Sequence, residues 1–360
     1  MPNFNGQLKT NEIFAALYNM IISQQTFADN IAGTYTELVD MARVDGSLYG
    51  DTKLYTSTDV LASVEWGNDA EAANLLQLHR PPAPKTQAIY LDVFRMIPLT
   101  TDNYMSKRAW GTEGAFAEFN GVMKGWLSDT KRVIDATTYN AYVGTVSSET
   151  NAGKQDVVID VKSAVGTATG EEAARLEGAA IAKGIADLLV NLKDTTRDYN
   201  DYGFLRAYAA DDLVFVWNAD VLNRVTKMDL PTIYHDQIVD KLGEYALPAR
   251  YFGTVNSTAG TANGTTTRSL IEQVIGGKHY FAGDLLPKDA AYTAKTTYTE
   301  SPTIAFKVFH KRSIPFMSAF EVGTSFFNPR SLTESNYLIW GRNTLEYLKN
   351  YPCIRVTLTK

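Results

Sequence analysis

GAFAEFNGVMKGWLSDTKRVIDATTYNAYVG, residues 114–144, carries the longest helical pattern in the chain. Phe116, Phe119, Val122, Met123, Trp126, Leu127, Val133 and Ile134 recur at three- and four-residue steps. That spacing collects side chains on one face of an α-helix. The stripe predicts a helix over 113–143, roughly 45 Å long at about 1.5 Å per residue. Most globular helices are far shorter, about 11–12 residues. Gly121 and Gly125 mark a close contact or a bend within it.

Upstream, residues 10–32 show helical spacing through Ile13, Leu17, Met20, Ile21 and Phe27, with Thr10 as the cap. A polar arm with Asn3, Asn5 and Gly6 precedes them. Residues 46–66 turn rich in Tyr, Thr and Val, which is strand chemistry. Residues 69–79 are Ala- and Leu-rich and predict a short helix. RPPAPK (80–85) is a stiff, exposed connector, because its prolines lack backbone donors. TQAIYLDVFRMI (86–97) returns to strand, with Ile89, Leu91, Val93 and Arg95 on one side and Tyr90, Phe94 and Met96 on the other. Both sides are fairly apolar. A hairpin standing freely in water would not carry two such faces; one lying on a neighbour would.

Downstream, DVVIDV (156–161) is a short strand and 170–196 a second amphipathic helix, with Glu171 and Glu172 at its start and Lys193 and Arg197 at its end. The helix dipole favours that charge order. DLVFVWNAD (212–220) reads as a buried strand, followed by short helices over 219–228 and 233–244. TVNSTAGTANGTTTRS (254–269) is polar and predicts an exposed, mobile loop. A turn–strand–turn over 276–290 follows, and 302–358 is β-rich.

The chain offers little chemistry. Its 360 residues are 45% hydrophobic and 21% charged, enough for a real core. The net charge of −6 argues against coating nucleic acid through a basic surface, though a container with a mildly acidic wall would let DNA slide. The lone Cys353, in YPCIRVTL, allows no intrachain disulfide and suits a reducing compartment. The N-terminal MPNFNGQLKTNEIF lacks the pattern of a secretory signal, and no apolar run has the length of a membrane span. The four histidines, His79, His235, His279 and His310, have no metal-ligand spacing. GTANGTTT (260–267) lacks the lysine of a phosphate-binding loop. Asp211–Asp212 and Asp198/Asp201 are the available acid/base pairs, but adjacent aspartates also cap helices. The 20 Tyr, 16 Phe and 5 Trp fit packing in cores and between subunits, and Trp110, Trp126, Trp217 and Trp340 all sit in periodic apolar patterns.

The order of these parts resembles the major capsid proteins of tailed phages, the Hong Kong 97-type fold, and among them the short-tailed phi-29-like group. Residues 114–144 match the spine helix of that family. DLVFVWNADVLNRV (212–225) and GGKHYFAGDLLP (276–287) resemble its axial-domain strands and turns, and SAFEVGTSFFNPRSLTESNYLIWG (318–341) its closing C-terminal sheet. The resemblance implies an α+β fold with an N-terminal arm and helix (1–45), an E-loop hairpin (46–107), a peripheral domain with the spine helix (108–203), an axial domain (204–300) and C-terminal strands returning to the peripheral domain (301–360). It implies a virion protein, assembled in the host cytoplasm into hexamers and pentamers of an icosahedral shell around double-stranded DNA, which it does not bind sequence-specifically. A separate scaffolding protein and a portal protein are the further partners. No cofactor, metal, catalytic residue or membrane is expected.

Two rival readings remain open at this point: an encapsulin-like cellular compartment, which shares the fold, and a carbohydrate-active hydrolase. If the chain is a shell subunit, a long arm and hairpin bury little surface at home. Their apolar residues then find partners on sister copies, and Arg80, Lys85, Tyr90, Phe94 and Arg95 are the expected interface residues.

Overall fold

Leu213–Asn218 carries LVFVWN, and all six side chains are buried. A strand covered on one face alternates apolar and polar residues; an unbroken apolar run marks one covered on both. Phe215 and Trp217 enter one hydrophobic cluster, while Val214 and Val216 enter another.

The computed structural model describes residues 36–45, 52–63, 78–102, 113–226 and 245–359. The helices expected over 10–32 and 233–244, and nearly all of that over 69–79, lie outside them, as do Trp110 and His235. The described helices are α1 (Glu37–Ala42), α2 (Glu113–Thr145), α3 (Ala152–Gln155), α4 (Val161–Val165), α5 (Gly170–Lys193) and α6 (Ala219–Thr226). The strands are β1 (Arg43–Asp45), β2 (Thr52–Ser57), β3 (Lys85–Asp102), β4 (Asp156–Asp160), β5 (Leu213–Asn218) and β6 (Tyr245–Leu247). An insertion adds β7 (Gly253–Val255), β8 (Gly260–Thr261), β9 (Thr267–Ser269), β10 (Gln273–Ile275), β11 (Lys278–Tyr280), β12 (Ala291–Tyr292) and β13 (Thr297–Glu300). The chain closes with β14 (Ile304–His310), β15 (Phe316–Asn328), β16 (Thr333–Asn343) and β17 (Cys353–Thr359).

Two five-stranded sheets organise the molecule. The first has the order β1-β15-β16-β3-β2, the second β4-β17-β14-β5-β6. One face of the second sheet packs on α5 and α6 through Ile181, Ile185, Leu188, Trp217, Val221, Phe306 and Ile354. Trp217 and Phe306 stack there with ring centroids 4.4 Å apart. The other face meets Leu38 and Val39 of α1 and Tyr139, Ala141 and Val143 of α2. β4 joins β17 in parallel across almost two hundred residues of chain, and β5 joins β14. The boundaries expected at 203–204 and 300–301 therefore run through one sheet. Local periodicity finds the strands but cannot see a pairing at that separation.

α2 matches the long helix read from sequence and extends over 33 residues. Its burial is uneven. From Ile134 onward it is almost wholly buried, whereas Gly121 to Trp126 is largely exposed, with Trp126 at 48%. Trp126 is thus not packed in this subunit's own core, while Trp217 and Trp340 are buried. The buried half carries polar residues that the helix itself satisfies: the hydroxyls of Thr137 and Thr145 donate to the carbonyls of Val133 and Ala141, each at 2.7 Å. Gly144 is there for a close approach, since a Cβ would lie 2.1 Å from the Tyr251 carbonyl oxygen.

The stretch 254–269 is not the loose loop its composition predicts. It supplies β8, β9 and part of β7, and β7 and β9 flank β13 in a three-stranded sheet. The Asn263 side-chain oxygen accepts the amides of Thr265, Thr266 and Thr267 at 2.9, 2.8 and 3.0 Å and closes the turn. Thr267 and Ser269 are buried beyond it. Thr254, Ser257, Thr258, Thr261, Asn263 and Thr265 stay exposed, as the composition predicts, but short ladders and one side chain order the backbone that carries them.

Two substitutions test this packing. Phe306→Ala should cost about 3–5 kcal/mol by emptying the second sheet's core, read as a lowered urea midpoint. Gly144→Ala, which would stabilise an exposed helix by about 1 kcal/mol, should here destabilise, because its methyl has no room beside Tyr251.

Candidate assembly surface

β3 sorts its side chains by alternation. Ile89 and Leu91 are buried against Met317, Ala319 and Leu348. Tyr90, Phe94 and Met96 take the opposite face and remain 60%, 57% and 54% exposed. The register carries this face across the sheet: Met96 lies opposite Ile339, which lies opposite Val322, itself exposed. On the other side Leu54 of β2, opposite Ala88, is 67% exposed. An apolar stripe therefore crosses four strands on the outer face.

The inner face fixes the sheet to the body. Leu338 and Trp340 pack on Ile134 of α2, with Ile97 and Leu127 alongside. Lys131 lies 3.6 Å from the buried Asp135 carboxylate and 3.0 Å from Glu321. Burial raises the Asp135 pKa, and the charges of Lys131 and Arg342 oppose that rise. The β3–β16 irregularity at Asn343 is pinned from both sides. Asn343 donates to the Pro315 carbonyl at 3.1 Å and accepts from the Met317 amide at 2.9 Å. The Asp92 carboxylate accepts the amide and hydroxyl of Thr344 at 2.6 and 2.7 Å.

The base of the hairpin is held by polar groups. Gln87 donates to the Tyr347 carbonyl and accepts the Lys349 amide, both at 3.0 Å. Beneath, the buried Asp201 carboxylate accepts Ser148 at 2.5 Å, Gln155 at 2.8 Å and the Tyr347 hydroxyl. Burial, with Asp201 next to it, drives the Tyr347 pKa upward. Gln155 also accepts the Cys353 amide at 2.8 Å. Close by, the fully buried Lys307 donates to the Val146 carbonyl at 2.6 Å, just past the end of α2, and burial lowers its pKa to about 8. Burial pushes the Cys353 thiol up to about 12, so it is a packed thiol and not a reactive one.

The hairpin does not stand wholly clear of its own subunit, as the sequence led us to expect. Residues 91–102 are built into the first sheet by pairing with β16. Past β2, Asp59 takes the Arg197 guanidinium at 2.5 Å and the Leu205 amide at 2.9 Å. The Arg197 hydrogen bond, then the Leu205 amide, lowers the Asp59 carboxyl pKa to about 2. Strand ladders and an exposed, hydrogen-bonded ion pair supply partners at home that composition cannot reveal.

Of the five residues singled out from sequence, Tyr90 and Phe94 lie on the exposed stripe and Arg80 in the exposed connector. Lys85 sits over the Tyr202 and Phe204 rings, 5.0 and 5.4 Å from their centroids. Arg95 turns inward, where its guanidinium lies 3.8 Å from Glu272, which His279 also contacts. Sequence reasoning passed over Leu54, Val322, Phe326 and Phe327, all exposed; their alternation gave the signal, but the faces could be ranked only once the register was known.

No acid/base machinery converges. Asp201 is consumed by its hydrogen bonds, and Asp198 lies 3.7 Å from Lys154. Asp211 and Asp212 form a single exposed turn before β5. His310 stacks on Tyr351 at 4.3 Å, its pKa lowered by burial. Among the described residues no three His, Cys, Asp or Glu side chains gather as a metal site, and no helix is long and apolar enough to cross a membrane.

The sequence profile of the Phi29-like phage major capsid protein family matches residues 4–357. The chain belongs to that family. It is a structural subunit of the virion, a major capsid protein of an icosahedral phage shell, and not an enzyme. Its fold is the mixed α+β fold of Hong Kong 97-like capsids. A capsid chain of Staphylococcus phage Andhra superposes with a TM-score of 0.65 at 9% identity, covering 94% of this chain and 88% of the other. A chain from the head fiber and inner core protein structure of native bacteriophage P68 gives 0.61 at 12% identity, covering 93% and 87%. No curated protein matches this capsid protein in sequence.

The hairpin anchors of the capsid protein are open to test. Gln87→Ala strips two hydrogen bonds from the 347–349 segment and should cost about 1–3 kcal/mol in chemical denaturation. Asp59→Asn should speed hydrogen exchange over 52–60. Since the folded Asp59 pKa lies below its unfolded value of about 3.9, this contact stabilises above about pH 4 and fades as pH falls through about 2. Exchange over 52–60 that is indifferent to both changes would show that Asp59 anchors nothing.

Proposed function

We propose that the outer face of the first sheet is the surface on which neighbouring subunits of this capsid protein lie, within hexamers and pentamers. The observation that carries this is the stripe of Leu54, Tyr90, Phe94, Met96 and Val322, each 44% exposed or more. Isolated apolar side chains on a surface are ordinary, but a set of them spread over four strands of one sheet face is the mark of a surface that becomes covered. In this reading α2 is the spine and β2–β3 the E-loop-like hairpin, with Arg80 and Lys85 beside its connector and Tyr90 and Phe94 as its contact residues. Arg95 serves from the inside, holding the strand to Glu272. Residues 204–300, with β5, α6, β6 and the insertion from β7 to β13, are the axial domain, and heterologous contacts repeated around five- and six-fold axes close the rings.

Double-stranded DNA is the cargo, held without sequence readout. The net charge of −6 suits a wall the polymer slides past. A separate scaffolding protein sets the shell's size and a portal protein occupies one vertex.

Phe94→Glu with Met96→Glu places carboxylates in the stripe without touching the core. These subunits should stay soluble and keep the wild-type circular dichroism, yet build no shells with scaffold present, as seen by negative-stain microscopy. Deletion of 67–88 should likewise leave a soluble subunit that builds no shells. Normal particles from the double glutamate variant would sink the assignment of this face.

A further inference from the structure

We propose that the free edge of β15 pairs antiparallel with the same edge of a second copy, centred on Ser325, across a two-fold axis. The proposal rests on the shell role above and goes beyond the sheet face just described.

β15 has two neighbours of unequal length. β16 pairs with it from Ser318 to Asn328, whereas β1 reaches only Phe316 to Ser318. Among the described residues nothing pairs with the other edge of Glu321–Asn328, and every residue there is exposed. An exposed edge strand is a template for another strand, and proteins that must stay single blunt it with charges, proline or shortness. Here the segment Val322–Asn328 reads VGTSFFN: no charge, no proline, and two phenylalanines 65% and 49% exposed. The usual protections are missing where they are most needed.

The sequence further selects which strand comes. A two-fold axis places each residue opposite its mirror mate, so any charge near the centre would face its own kind. This segment holds none. Centred on Ser325, the pairing sets Gly323 opposite Phe327 and Thr324 opposite Phe326. Nothing lies within 4 Å of where a Gly323 Cβ would stand. The Phe327 ring of the other copy fits over that bare glycine, a cross-strand arrangement that stabilises sheets. The Thr324–Phe326 pairs fall on the outer face and extend the stripe from Val322 into the second copy. At both ends Glu321 of one copy meets the turn of the other, one residue from Arg330, so the ends are complementary in charge where the middle is neutral. Lys131 of the same subunit, 3.0 Å from Glu321 and 3.6 Å from Asp135, already answers the Glu321 charge, so that carboxylate does not repel the incoming edge.

Cysteine crosslinking tests this on whole subunits in assembled shells, with the buried Cys353 as a silent background. Opposed residues in an antiparallel pair have Cα atoms about 4.5–5.5 Å apart, inside disulfide range. Ser325→Cys shells, oxidised and then dissolved in denaturant without reductant, should yield covalent dimers. Gly323→Cys alone should not, whereas an equal mixture with Phe327→Cys should. Ser325→Lys and Ser325→Glu should each lose shells, and mixing the two should restore them. Wild-type shells are confirmed first, so failure of the shell role shows separately. Monomers from oxidised Ser325→Cys shells, equal crosslinking at Gly323→Cys, or wild-type shell yield from Ser325→Lys would each overturn the edge pairing.

Discussion

One strand of 18 residues belongs to the hairpin and the first sheet at once, and much else depends on it. From Leu91 to Asp102 β3 is locked in register with β16, because a slip by one residue would turn Ile97 out to solvent and leave Trp340 and Leu338 without their partner. The whole strand, including the residues before Leu91, takes its alternation from that register. Tyr90, Phe94 and Met96 are exposed for this reason and no other: they are the alternate set of a strand whose first set is committed to the core. Asn343 and Asp92 hold the point where the pairing shifts, so the alternation survives the irregularity.

Buried polar groups join the parts that apolar packing leaves separate. Each would be costly alone, by about 1–3 kcal/mol for an unpaired neutral group and more for a charge. Lys307 ties the centre of the second sheet to the chain leaving α2. Asp201 gathers the following turn, α3 and Tyr347. Gln87 then connects that same segment to β3. α2, the second sheet and the hairpin base thus form one continuous polar seam, and a hydrophobic residue at any of these places could fill space but could not orient three elements.

What sequence reveals here divides along physical lines. α2, α5, β3 and β5 were legible because their periodicity or unbroken apolar run is local. The alternation of β3 gave the exposed set directly. The parallel partnership of β4 with β17 was hidden, since nothing local encodes a pairing across almost two hundred residues, and so was the single sheet that draws strands from both sides of residues 203 and 300. The fold of 254–269 was hidden for the opposite reason: its ladders run through Thr, Ser and Asn, the residues that also make loops, and one Asn263 side chain decides between them. Trp126 shows that a helical stripe promises a covered face, not that the same subunit covers it. Lys85 and Arg95 carried charge suited to an interface, but their partners turned out to be Tyr202 and Glu272 of the same chain.

The β10–β11 hairpin ends in a turn whose two residues, Gly276 and Gly277, both adopt positive φ. Neither has an atom within 4 Å of where a Cβ would stand. Such a tip is joined to the fold only through its two legs, and the entropy of closing a longer connection grows slowly, about 0.6 kcal/mol for each doubling. A foreign peptide spliced between those glycines would lengthen a loop and displace nothing, so the same feature that ends a small hairpin makes it a natural place to carry cargo of another sequence in many copies.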